Sequence, residues 1–247
     1  MTCTLFISDL HLDRERSATT RLFLGFLEKE ARSAAAVYIL GDLFEAWIGD
    51  EDIGCYREVI DALRACTDSG TRIFYMPGNR DFLVGRRLAA ETGCTLLDDP
   101  QRIDLYGEPV LLTHGDALCT DDTEYQAFRR RLRDRQWQQD FLEKPVGERR
   151  RIVAEFSDAS RAQGRLKPEA VMDVNGQAVS RLMSGHGVTC LVHGHTHRQA
   201  EHALTIDGRP ARRVVLGNWG SAGSLLECTP GGYRFRMVTA RGAQPAA

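Results

Sequence analysis

The sequence predicts an α/β layered fold with a helical cap inserted into it, and three features carry that reading. Short apolar runs alternate with amphipathic helical stretches, polar motifs sit where those runs end, and one long segment is basic and helical in period. The runs at 5–7, 36–40, 72–76, 110–113 and 189–192 are rich in β-branched and aromatic residues, as strands require. Between the early ones, 20–30 places Leu22, Phe23, Phe26 and Leu27 on one helical face, and 56–67 does the same with Val59, Ile60 and Leu63. Alternation of this kind argues for a layered core whose ligands gather at the carboxyl ends of strands. Near the end of the chain, 212–216 and 233–239 read as two further strands, with a turn at Thr229-Pro230-Gly231-Gly232. After Arg241 the chain is expected to fray.

A length of 247 residues suits one domain, and the segment 121–172 reads as a helical cap inserted into it. Hydrophobic residues at 43% and charged residues at 27% are ordinary for a soluble protein. The seven cysteines are scattered, odd in number and never spaced as a CxxC pair. That argues against a disulfide framework or zinc knuckle and fits reduced thiols in the cytoplasm better. No targeting segment is visible, and no run approaches the roughly 18 apolar residues of a membrane span. The expectation is a cytoplasmic protein that is free to bind a membrane surface.

The segment 129–167 holds 12 basic and 6 acidic residues, a local balance of +6 in a chain whose net charge is −2. Arg129, Arg130, Arg131, Arg133 and Arg135 are followed by Arg149, Arg150 and Arg151, with Tyr125, Phe128, Leu132, Trp137, Phe141, Ile152, Val153 and Phe156 interleaved at helical spacing. Two or more amphipathic helices broken near Pro145 and Gly147 account for the pattern. Arginine-rich faces are usually only solvated. Here the positive segment belongs beside a polar array in an otherwise acidic body, where it would attract an anionic substrate.

That array consists of Asp9-Leu10-His11, Gly41-Asp42, Gly78-Asn79, His114-Gly115-Asp116 and Gly194-His195-Thr196-His197. Oxygen and imidazole donors converging from several strand ends can hold two cations about 3.5–4 Å apart and hydrolyse phosphate esters or anhydrides. Each motif alone has an ordinary structural explanation, such as a turn or a capped core histidine. Three imidazoles alternating at His193, His195 and His197 are harder to explain that way, and five such coincidences in order are harder still.

The ordered set resembles the calcineurin-like metallophosphoesterases. The resemblance implies a two-sheet β-sandwich flanked by helices, with one ion held by Asp9, His11, Asp42 and His197 and a second by Asp42, Asn79, His114 and His195. Asp42 would bridge the two, and His193 and Asp116 would orient ligands. Mixed carboxylate, imidazole and amide donors suit Mn²⁺, Fe²⁺ or Zn²⁺ over Ca²⁺, with Mn²⁺ the expected pair of ions.

Gly41-Asp42-Leu43-Phe44-Glu45-Ala46-Trp47, Gly78-Asn79-Arg80-Asp81 and the final histidine cluster are similar, over 6–219, to the UDP-2,3-diacylglucosamine hydrolase family of lipid A synthesis. That likeness implies release of UMP and 2,3-diacylglucosamine 1-phosphate through attack of a two-metal-activated hydroxide on the α-phosphorus, at the cytoplasmic face of the inner membrane. Catalytic roles would fall to Asp42, Asn79, Arg80 and His114, and substrate contacts to Asn79, Arg80, Asp122, Ser160, Lys167 and His195. Gly164 departs from an asparagine often found there, so its bonds must come from elsewhere. Arg80 replaces a histidine common in the wider superfamily and cannot donate a proton near neutral pH, though it can clamp phosphate. Phe128, Leu132, Trp137, Phe141, Ile152 and Phe156 are candidates for an acyl chamber or a bilayer-facing surface. Arg80 and the Trp47-bearing motif argue against a nucleic-acid hydrolase, and the complete donor set argues against a non-catalytic binding module.

Overall fold

Strand runs whose alternate residues are apolar on both faces must be covered on two sides, and that requirement organises the chain. The computed structural model describes residues 3–13, 17–164, 167–168, 171–240 and 242–245, with only the backbone of 159–164 and 243–245. The first half contains β1 (Thr4–Ile7), α1 (Ala18–Lys29), β2 (Ala36–Leu40), α2 (Arg57–Asp68), β3 (Arg72–Met76), α3 (Arg86–Thr92), β4 (Thr95–Leu96), β5 (Gln101–Leu105) and β6 (Glu108–Thr113). Helices α4 (Thr123–Leu132), α5 (Arg135–Leu142), α6 (Val146–Gly164) and α7 (Gly176–Gly185) follow. The chain then forms β7 (Cys190–His193), β8 (Ala200–Ile206), β9 (Arg209–Val215), β10 (Gly223–Thr229), β11 (Gly232–Thr239) and β12 (Gly242–Pro245).

The strands form a seven-stranded sheet, ordered β12-β11-β10-β1-β2-β3-β4, and a five-stranded sheet, ordered β5-β6-β7-β9-β8. Strands β1 to β4 are parallel, as are β6, β7 and β9, so the carboxyl ends of the strands bearing the motifs lie together within each sheet. Phe6, Leu40, Met76, Val110, Leu112, Val192 and Leu226 are buried in one apolar cluster drawn from both sheets. Tyr38 stacks between Phe6 and Phe74, with ring centroids 4.9 and 4.6 Å away. The alternate residues Leu5, Ile7, Val37, Ile39, Ile73 and Tyr75 pack instead with the apolar faces of α1, α2 and α3. On the other flank Leu111 and Leu191 pack with Ala178, Val179 and Met183 of α7. Two sheets flanked by helices thus agree with the expected architecture.

Local chemistry sets the helix ends. Ser17 caps α1 by accepting from Thr20 N at 3.1 Å, and Asn175 caps α7 by accepting from Gln177 N and Ala178 N at 3.0 Å each. The cap segment has a second break besides Pro145: Asp134 ends the run after α4 and caps α5 by accepting from Trp137 N at 2.9 Å. The chain beyond Arg241 does not fray at once, which corrects the sequence reading. Residues 242–245 pair with β11, and the Thr239 hydroxyl donates to Gly242 O at 2.8 Å, closing the turn. An exposed sheet edge supplied the pairing that the weak strand character of Gly-Ala-Gln-Pro did not advertise.

Leu112 is fully buried between the sheets. Leu112→Ala should lower unfolding stability by about 2–5 kcal/mol, read from urea denaturation. A loss below about 1 kcal/mol would show that this layer repacks freely.

Candidate metal centre

The loops after β1, β2, β3, β6 and β7 carry the five motifs, and their backbones are held in uncommon shapes. Among the described residues seven non-glycine positions have positive φ, and five of them are Asp9 (56°), His11 (50°), Asp42 (52°), His195 (67°) and His197 (59°). L-residues enter this region at a cost, so its concentration here marks a site whose surroundings enforce it. Asp9 N donates to Gly41 O at 3.1 Å, while Leu10 N and His11 N both donate to Asp42 O, at 2.9 and 3.0 Å. The first two loops are therefore one hydrogen-bonded unit. Trp219 N donates to Asp9 O at 3.1 Å, and its ring packs edge-on against Phe23 and Phe26 of α1, tying that unit to the helical layer. A Cβ at Gly78 would collide with the Asp42 carboxylate, and one at Gly194 with Asp9 and Ser8, so these motifs need glycine for approach.

The side chains of Asp9, His11, Asp42, Asn79, His114, His195 and His197 lie close together, with Arg80 bonded through its backbone to Asp42. Asp42 Oδ1 lies 3.7 Å from His114 Nε2, and Asp42 Oδ2 lies 4.0 Å from His11 Nε2. His11 Nε2 and His197 Nε2 face each other at 3.3 Å, and Asp9 Oδ1 is 3.3 Å from His197 Nε2. His114 Nδ1 donates to Leu40 O at 2.9 Å, which directs Nε2 toward Asn79 Oδ1, also at 2.9 Å. Rings of His114 and His195 meet edge to face at 5.1 Å. Among the described residues, Asp9 with His11 and His197, and Asp9 with Asp42 and His114, are close enough to share an ion.

The electrostatics reflect crowded donors. Burial pushes the Asp42 carboxyl up to about 6. Burial opposes a charge on His114 as well, but Asp42 and Asp9 raise it to about 9. Burial, aided by His114, pushes His195 down to about 3, leaving it a neutral imidazole. Burial would also raise Asp9, yet His197, His114 and the Ser8 hydroxyl hold it well below the usual carboxylate range. The residues fit a metal: among the described residues no aligned hydrogen-bond donor reaches the buried Asp9 Oδ1, and ligand-type nitrogens and oxygens of His11, His197, His114 and Asn79 face one another from four loops. This donor set suits divalent transition ions.

Two supporting carboxylates escaped the sequence reading. Asp81 Oδ1 accepts from Gly78 N at 2.7 Å and Asp42 N at 3.3 Å, while Oδ2 accepts from Phe44 N at 3.2 Å and from the Tyr75 hydroxyl. It fastens the loops that carry Asp42 and Asn79, and its one signal was an acid directly after Arg80. Glu45 Oε2 lies 3.0 Å from His11 Nδ1. Arg80 N donates to Asp42 Oδ1 at 2.8 Å, and Arg80 O accepts from Trp47 N at 3.2 Å, so the residue is held by its backbone. His193 is buried and directed away from the ligand cluster by its own bonds: its Nδ1 donates to Gly194 O at 2.8 Å and its Nε2 accepts from Arg213 at 3.1 Å. Asp116 turns toward α4 and accepts from Arg129 Nε at 2.7 Å.

A cavity of about 530 Å³ begins at Asn79, Arg80 and His195 and runs under α4, α5 and α6. Phe82, Phe128, Leu132, Trp137, Phe141 and Phe156 form its apolar wall. Ile152, a sequence candidate for that wall, is absent from the lining and packs against the main core, whereas Val153 lines the cavity. Asp122 and Lys167 lie in the lining too, with Lys167 Nζ donating to both Asp122 oxygens at 2.6 and 2.8 Å. The side chain of Ser160 lies outside what the structure describes, and of Gly164 only the backbone helix is described.

Residues 4–199 match the calcineurin-like phosphoesterase family. The UDP-2,3-diacylglucosamine hydrolase of Pseudomonas aeruginosa (strain UCBPP-PA14) is 53% identical over 231 residues, covering 93% of this chain and 96% of that protein. Proteins of the same name from Azotobacter vinelandii (strain DJ / ATCC BAA-1303) and Salmonella typhi are each 51% identical, covering 94% and 92% of this chain and 97% and 95% of theirs. A solved archaeal phosphodiesterase superposes with a TM-score of 0.48 at 11% identity, over 96% of this chain and 99% of that one, a likeness too slight to argue from. The chain belongs to the calcineurin-like phosphoesterase family, within the branch whose members are named UDP-2,3-diacylglucosamine hydrolases.

Proposed function

We propose that the protein hydrolyses the pyrophosphate bond of UDP-2,3-diacylglucosamine, releasing UMP and 2,3-diacylglucosamine 1-phosphate. One observation carries this reading: a single cavity joins the polar donor cluster to an aromatic chamber beneath the cap. A pyrophosphate attached to acyl chains needs both ends, whereas a nucleic acid has no use for the buried apolar one.

In this reading Asp9, His11, Asp42 and His197 hold one ion, and Asp42, Asn79, His114 and His195 hold the other. The two Asp42 oxygens face His114 and His11 separately, as a bridging carboxylate would. Two divalent cations, with Mn²⁺ the best match to these donors, supply Lewis acidity to phosphoryl oxygens and acidify water. Arg80, held by its backbone at the cavity mouth, offers a permanently charged guanidinium to the pyrophosphate. The leaving group is a phosphate monoester whose second pKa is about 6, so it departs without an acid and needs only charge neutralisation. That chemistry explains an arginine where a proton donor is common. Asp122 keeps Lys167 charged and fixed toward the sugar-phosphate end. Attack is assigned to the α-phosphorus.

No helix among the described residues is long and apolar enough to cross a membrane. Arg130, Arg131, Arg135 and Arg151 are exposed on the cap, and they support peripheral docking to the anionic cytoplasmic face of the inner membrane.

Hydrolysis of UDP-2,3-diacylglucosamine in ¹⁸O-water with Mn²⁺ should yield UMP carrying the label, read by mass spectrometry. Label in the sugar phosphate would place attack on the other phosphorus, and no UMP would refute the substrate. Arg80→Ala should lower kcat by about 100-fold in the same assay. An unchanged kcat would remove Arg80 from the chemistry. His114 must lose its proton to bind a cation, so Mn²⁺ affinity should rise as pH climbs toward about 9, measured by calorimetry. Affinity independent of pH would argue that His114 is not a ligand.

A further inference from the structure

The wall of the apolar chamber has to be held in register with the metal-ligand loops, and one buried residue makes contacts suited to that task. Gly115, with φ at 113°, turns the chain out of β6 so that Asp116 points back inside, fully buried. Asp116 Oδ2 accepts from Arg129 Nε at 2.7 Å and from the Tyr125 hydroxyl at 3.3 Å. Its backbone carbonyl accepts from Gln126 Nε2 at 2.8 Å. One face of α4 is thereby committed to a segment that begins two residues after His114.

The same face reaches the other ligand loops. Arg133 Nη2 lies 3.9 Å from Asp116 Oδ2 and donates to Gly78 O, directly before Asn79, at 3.0 Å. The ring of Tyr125 stacks on His195 with centroids 5.8 Å apart. Outward from α4, Phe128 meets Phe156 of α6 edge to face at 5.1 Å, and Phe156 packs at 6.5 Å from Trp137 of α5. The chamber wall is thus linked through α4 to Asp116.

A buried ion pair rarely stabilises more than apolar residues of the same volume would; what it can contribute is a defined geometry. Among the described residues no hydrogen-bond partner reaches the buried Asp116 Oδ1, so net stability is a poor explanation for this carboxylate. Arg129 within α4 and Arg133 at its end are the cations this helix brings to Asp116, and a shifted helix would withdraw both from a buried carboxylate.

We propose that Asp116 is a positioning residue that registers α4, and with it the chamber wall, against the metal-ligand loops. Its consequence for an acyl substrate rests on the glycolipid reading above; the register itself does not.

Asp116→Asn, Arg129→Gln, the double variant and the conservative Arg129→Lys, each in the full chain, test this. Amide hydrogen exchange in metal-free protein should rise about tenfold across 123–132 in each of the first two variants, with β1 and β6 unchanged. With Mn²⁺, KM for UDP-2,3-diacylglucosamine should rise about tenfold while turnover of bis(p-nitrophenyl) phosphate stays within about threefold. The double variant should be no worse than either single change, and Arg129→Lys should recover at least about half of the loss. Unchanged exchange in α4, exchange rising equally in the strands, or additive effects in the double variant would each overturn the proposal. A wild-type protein that cleaves the small diester but not the glycolipid would refute the substrate reading, and the exchange data would still decide the register.

Discussion

Lone pairs brought within about 3 Å of one another repel unless positive charge lies between them, and the loops at the strand ends answer to that constraint. His11 and His197 face nitrogen to nitrogen, and His114 faces the amide oxygen of Asn79. Five left-handed backbone positions are needed to aim such donors from separate strands. Holding them there falls to neighbours: Gly78 and Gly194 leave room, Asp81 ties the second and third loops, and Trp219 anchors the first. Without a cation the buried carboxylates Asp42 and Asp9 draw His114 up to about 9, while burial pushes Asp42 up to about 6.

The fold serves this arrangement by stacking two sheets whose parallel strands deliver their carboxyl ends to one place. The apolar layer between the sheets fixes β1, β2 and β3 relative to β6 and β7, so five loops converge without a loop-only scaffold. Helices α4, α5 and α6 add what the sheets lack, a cavity with an aromatic wall beside the polar centre. Helices α4 and α5 are short and capped by Asp122 and Asp134, and together with the longer α6 they surround the cavity instead of covering it as one rod.

Much of this was readable in the residues. Strands at 36–40 and 72–76 stand where their β-branched runs placed them, because buried parallel strands carry their own signal. Strand β5 was missed: Arg102 and Asp104 break its apolar character, and its pairing with β6 does the work that propensity does not. The tail strand β12 was hidden for the same reason. Candidate ligands were legible because ligand chemistry restricts residue type. Asp81 and Glu45 were not, since their roles arise from contacts between loops far apart in sequence, and helical period alone could not say which apolar residues of α6, Val153 or Ile152, meet the cavity.

The most direct test of two cations among these seven side chains is anomalous diffraction from crystals grown with Mn²⁺. Two peaks are expected, one against Asp9, His11, Asp42 and His197, the other against Asp42, Asn79, His114 and His195. A single peak, or peaks away from these residues, would contradict the account.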